Sequence, residues 1–174
     1  MNLKLRNMEL VRREWCRHQR VKLRTDLMPE YRQRYHAMVL RLHRTFWAPV
    51  SGSITFREQA EAFASGRTSP GAIRTAWRAG DNPANWGCAT SWAEFHPEYE
   101  GRGPWEMADW DFLEDVATRS GLKFRPASPM GEDPWVELPI RVEWRDIGDT
   151  YRLEGTESAV RDIKRLIEPW GVEK

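Results

Sequence analysis

At 174 residues the chain is long enough for one well-buried domain with appendages, and its formal charge of +1 is unevenly spread: residues 1–24 carry eight Lys or Arg against two Glu, leaving the remainder net acidic. Two cysteines, Cys16 and Cys88, are too few for a disulfide framework, which makes a reduced compartment the simpler expectation. No uninterrupted apolar stretch follows the N-terminal charges, which argues against a signal peptide, a membrane anchor or any membrane span; the expectation is cytoplasmic synthesis.

Residues 3–23 are predicted as a basic amphipathic helix, with Met8, Val11, Trp15 and His18 at three- and four-residue spacing. Such a helix can simply pack on its own domain, or it can dock a partner. Arg12, Arg13, Trp15, Arg17 and Arg20 are the candidate docking residues, and a protein partner ranks first. Membrane-surface binding would want a broader Leu/Phe face, and nucleic acid is disfavoured because the basic run is confined to one helix with no base-stacking motif.

A second helix is predicted from Pro29 to about Phe46 through Tyr31, Tyr35, Met38, Val39 and Leu42. Short strands are expected around 53–55, 87–92 and 134–144, and helices around 56–65 and 108–120, the latter ended by Gly121. Beyond Leu138, Ile140, Val142 and Trp144 alternate with charged residues, Gly148-Asp149 suggests a turn, and Tyr151 and Leu153 resume the alternation, which reads as a β-hairpin. Thr156 then caps a helix whose apolar face is Ala159, Val160, Ile163, Leu166 and Ile167, stopped by Pro169 and Gly171. The expected fold class is α+β: a small domain with an antiparallel sheet and flanking helices over residues 25–138, a basic helix over 1–24, and a β-β-α extension over 139–174. No internal repeat or low-complexity tract is present.

Several segments carry a pattern in a fixed order. Ser51-Gly52-Ser53-Ile54-Thr55 is followed by Glu58-Gln59-Ala60-Glu61-Ala62-Phe63-Ala64, by Gly66-Arg67-Thr68 with Pro70-Gly71, and by Ile73-Arg74-Thr75. Then come Ala84-Asn85-Trp86-Gly87-Cys88-Ala89-Thr90-Ser91, a Trp110 to Leu122 helix ending in Gly121-Leu122, and Glu132-Asp133-Pro134-Trp135-Val136-Glu137-Leu138. Over roughly residues 25–138 this order resembles the M15 peptidases, the phage endolysins and L-alanyl-D-glutamate or D-alanyl-D-alanine peptidases of the Hedgehog/DD-peptidase type that cut peptidoglycan stem peptides. The resemblance implies a catalytic zinc held by two His and one Asp, a catalytic acid/base, and an Arg that holds the substrate carbonyl or carboxylate.

The residues at those positions do not keep the chemistry. The two His and the Asp are matched by Ala84, Trp135 and Ser91, the Arg aligns with Ile54, and only Glu132 stands where the acid/base would be. Alanine and tryptophan supply no lone pair to a metal, and a zinc site needs three protein ligands plus an open position for water. Without the metal, bound water stays near its bulk pKa and Glu132 has no hydroxide to make. A relocated site would have to draw on His18, His36, His43 or His96, of which only His96 with Cys88 and a carboxylate offers even a crude alternative; no His-Glu-x-x-His or Cys-x-x-Cys spacing exists.

Ten tryptophans are many for this length, and Trp77, Trp86, Trp92 and Trp135 fall in or beside the motif segments that would line the former groove. Trp86, Trp92, Trp135 and Glu137 are therefore the candidate groove residues, with plugging of the groove favoured over a new ligand platform. The function expected is that of an inactive peptidase-like protein of phage or prophage origin, serving as a structural or binding module in a virion or tail assembly and needing no cofactor. The competing expectation is an active endolysin with relocated metal ligands. A protein assembly partner is expected, with a peptidoglycan peptide as a second candidate ligand.

Overall fold

The computed structural model describes residues 27–43, 45–95, 108–127 and 134–169. The expected helix over 3–23, with Arg12, Arg13, Trp15, Arg17 and Arg20, lies outside them, as do Glu132, His18 and His96. Five α-helices and a four-stranded antiparallel sheet make up the described part, an α+β architecture. In chain order these are α1 (Pro29–Leu42), β1 (Trp47–Ser51), α2 (Phe56–Ala64), a 3-10 turn (Pro83–Trp86), β2 (Ala89–Glu94), α3 (Trp110–Arg119), β3 (Lys123–Arg125), β4 (Trp135–Glu137), α4 (Trp144–Glu154) and α5 (Thr156–Leu166).

Helix α1 begins at Pro29, whose missing N–H is harmless in a first turn, and buries Tyr31, Tyr35, Met38 and Leu42 at the expected spacing. Helix α2 starts at a capping box: the Thr55 hydroxyl accepts from Glu58 N at 3.1 Å and Glu58 Oε2 accepts from Thr55 N at 2.9 Å. Asp109 caps α3 through a 3.0 Å bond from Phe112 N.

The strands run in the order β1-β2-β4-β3. One face, with Trp92, Val136 and Phe124, packs on α1 and α3. Tyr31 on α1 reaches through it, bonding Thr90 Oγ1 at 2.5 Å and the Val136 carbonyl at 3.0 Å, while its ring lies near Tyr35, which packs on Trp92. The opposite face carries Ser91 paired with Trp135 and Trp135 paired with Arg125. A bulge in β1 completes that row: Pro49 faces Trp92, but Ser51, not Val50, faces Ser91. One extra residue thus exchanges a valine for a hydroxyl on this face.

Three expectations need correcting. Thr156 does not cap α5 but is its first residue, with Gly155 at the N-cap position and no side-chain cap. Residues 53–55 form no strand; β1 lies just before them, at Trp47–Ser51. The expected hairpin over 140–153 is instead helix α4, so the C-terminal unit is two helices and not β-β-α. Trp144, Ile147, Gly148 and Tyr151 recur at helical spacing and face inward, whereas Leu153, needed inward by a strand reading, is 84% exposed. Gly148 is no turn residue: it lies inside α4 because a Cβ there would sit 1.9 Å from Asp81 Oδ1. Asp81 in turn holds Arg152 of α4 at 2.7 Å, and Tyr151 packs on Phe56 and Trp86. No helix among the described residues is long and apolar enough to cross a membrane.

Candidate functional site

The open face of the sheet forms the floor of a cleft of about 590 Å³. Ser51, Ser91 and Trp135 give that floor, Glu58 and Gln59 of α2 form one wall, and Arg74, Thr75 and Trp77 another. Asn82 and Ala84, from the 3-10 turn and its cap, close the end. Ala84 and Ser91 of one segment and Trp135 of another, expected to stand where metal ligands had been, therefore line one cleft.

Beside the charged Glu58, Glu61 and Arg74, the neutral amides around it are largely committed to one another. Gln59 is 2% exposed, donates from Nε2 to the Trp77 carbonyl at 2.7 Å, and accepts at Oε1 from Asn82 Nδ2 at 2.9 Å. Asn82 Oδ1 accepts from Ala84 N at 2.9 Å. Asn85 accepts from Gly80 N at 3.0 Å and donates to the Ile54 carbonyl at 3.0 Å, while Ile54 N donates to the Ala84 carbonyl at 3.2 Å. This lacing holds the Ser51–Ile54 turn against the 3-10 turn and fixes the cleft's width. The hydroxyls of Ser51 and Ser91 have no hydrogen-bond partner among the described residues.

A zinc ion does not fit this set. Ala84 brings no donor, Ser91 a neutral hydroxyl, and Trp135 an N–H that cannot ligate and is already given to Glu137 Oε2 at 2.8 Å. The carboxylates of the wall are occupied: Glu58 in the capping box, and Glu61 with Arg57 at 2.8 Å. Among the described residues no three His, Cys, Asp or Glu side chains are grouped for a metal.

The candidate groove residues divide. Trp135 does line the cleft, its ring set edge-on to Trp77 at 5.9 Å and 79°. Trp92 does not: it is buried on the other sheet face, giving its N–H to Thr90 Oγ1 at 2.8 Å, because a strand sends neighbouring side chains to opposite faces. Trp86 is also core, bonded to the Gly80 carbonyl at 2.9 Å and packed between Phe56 and Tyr151. Glu137 sits behind Trp135, 2% exposed and paired with Arg125 Nε at 2.9 Å, in a second recess of about 260 Å³ with Lys123, Arg141 and Glu143. The indole of Trp135 partitions the open face between the two.

Gln59, Ser51, Arg74 and Thr75 were not singled out from sequence. A single buried glutamine adds nothing to a helix's apolar periodicity, and the bulge that turns Ser51 inward is invisible without its partner strand. Cys88 is buried and its thiol is pushed well up by desolvation, then by Glu30 and Glu137, so it stays protonated and offers no thiolate nucleophile. Comparison with protein-family models and with curated proteins finds no match.

Proposed function

We propose that this chain is a non-catalytic relative of the M15 zinc peptidases, of phage or prophage origin, that keeps the scaffold as a structural or binding module in a virion- or tail-type assembly. The observation that supports the reading is the convergence of Ala84, Ser91 and Trp135 on one cleft. Two segments more than forty residues apart, one with Ala84 and Ser91 and the other with Trp135, bring these positions together, and the side chains there line an open cleft without offering donors to a metal. A cleft lined at these positions by residues without metal donors is suited to holding and not to hydrolysis.

Purified protein is expected to contain no stoichiometric zinc by elemental mass spectrometry and to release no soluble fragments from peptidoglycan. Stoichiometric zinc with turnover would establish the active, relocated-ligand reading instead. The folded triple variant Ala84→His, Ser91→Asp, Trp135→His is expected to bind zinc; failure to do so would break the link between these positions and a former metal site. Deleting residues 1–24 is expected to abolish co-sedimentation with a large particle, and unchanged sedimentation would exclude docking through that segment.

A further inference from the structure

We propose that the cleft binds a neutral sugar ring, an inference that rests on reading the cleft as a non-catalytic binding site. Its floor is the face of the sheet, where β2 and β4 have a hydrogen-bonded neighbour on each side and β1 pairs with β2 along one edge. An extended peptide is recognised by adding to a strand edge, so it finds no main-chain partners on this floor, and whatever binds must be read by side chains. Those available suit a polyol. Ser51 and Ser91 stand opposite each other across β1 and β2, an antiparallel pairing with Cα atoms about 5 Å apart, and both hydroxyls lack partners among the described residues.

Beside them Trp77 and Trp135 meet at 79°, an aromatic corner that can take the C–H face of a pyranose while the hydroxyls take its edge. Charge argues against a carboxylate ligand: among the described residues Arg74 is the single basic lining residue, against Glu58 and Glu61 on the helix wall. The volume of about 590 Å³ lies inside the range of roughly 300–1,000 Å³ typical of small-molecule sites.

The full chain is titrated with the N-acetylglucosamine trimer, with cellotriose and with the tripeptide Ala-Ala-Ala, and binding is read by saturation-transfer NMR. Saturation of sugar ring protons is expected for at least one of the two sugars and not for the tripeptide. The Ser51→Ala/Ser91→Ala double variant, with an unchanged circular dichroism spectrum, is expected to bind about tenfold more weakly, the loss of two hydrogen bonds; Leu153→Ala, outside the cleft, is expected to bind as before. No transfer to either sugar at tens of millimolar, undiminished binding by the double variant, or preferential binding of the tripeptide overturns the proposal. Zinc content and peptidoglycan hydrolysis of the same preparation keep the two readings separate: absent sugar binding without zinc refutes only the sugar, whereas zinc with hydrolysis refutes the reading beneath it.

Discussion

Gln59 shows how much of this cleft depends on single polar side chains. Its amide bonds the Trp77 carbonyl and Asn82 at once, so Gln59→Leu leaves both without that partner in a buried setting and is expected to destabilise the fold by about 2 kcal/mol in urea titration. Trp135→Ala removes both the plate against Trp77 and a donor to Glu137, and about 3 kcal/mol is expected, the low end of a Trp truncation because the residue is only half-buried. A loss under about 1 kcal/mol would mean that the indole lies over the sheet without supporting it. Tyr31 and Cys88 set the pH behaviour. Burial raises both groups well above their ordinary values of 10.0 and 9.0, so the folded chain keeps them protonated. The stability they allow is fully present below those ordinary values and is lost as pH rises toward the raised ones, because the unfolded chain ionises first. Urea midpoints are therefore expected to fall from pH 8 to pH 10, and Cys88→Ala to lessen the fall; a flat profile would contradict the burial of both groups.

Helix starts were legible to within a few residues and helix docking was not. Pro29 marks the start of α1, and the helices expected around 56–65 and 108–120 are α2 and α3, whose capping side chains Thr55 and Asp109 act on the adjacent turn alone. Thr55→Ala is expected to cost about 1 kcal/mol by thermal or urea denaturation. Residues 140–153 mislead because Ile140, Val142 and Trp144 alternate for three positions, while the helical set of Trp144, Ile147, Gly148 and Tyr151 becomes decisive only when Asp81 and Trp86 arrive to pack on it. Gly148→Ala tests that docking: with Asp81 Oδ1 1.9 Å from the added carbon, either Asp81 or α4 must move, and about 1–3 kcal/mol is expected. A neutral or stabilising outcome, as for an exposed helical glycine, would mean that α4 does not seat against Asp81.

At the scale of the molecule the core runs across residue 138, where the resemblance ends. Trp144, Ile147, Ala159 and Ile163 belong to the same cluster as Tyr31, Trp92 and Val136. The return is laced by backbone: Arg141 N to the Leu166 carbonyl at 3.0 Å and Glu168 N to the Pro139 carbonyl at 3.1 Å. Arg34, buried on α1, clamps both the Gly121 and Glu168 carbonyls at 2.6 Å. A chain ending at Leu138 is therefore expected to lose its cooperative unfolding transition; a sharp transition retained by that fragment would show the last two helices to be a separable appendage.

What the sequence determined by itself was local or chemical: the helices with 3.6-residue periodicity, and the inability of Ala84, Ser91 and Trp135 to hold zinc, which follows from their atoms wherever they stand. Tertiary structure alone decided that these three share a cleft, that Trp77 and not Trp86 or Trp92 joins Trp135 there, that a bulge turns Ser51 toward Ser91, and that residues 144–154 coil instead of pairing. Each of those depends on which surface arrives opposite a side chain, and a short apolar pattern is compatible with more than one such surface.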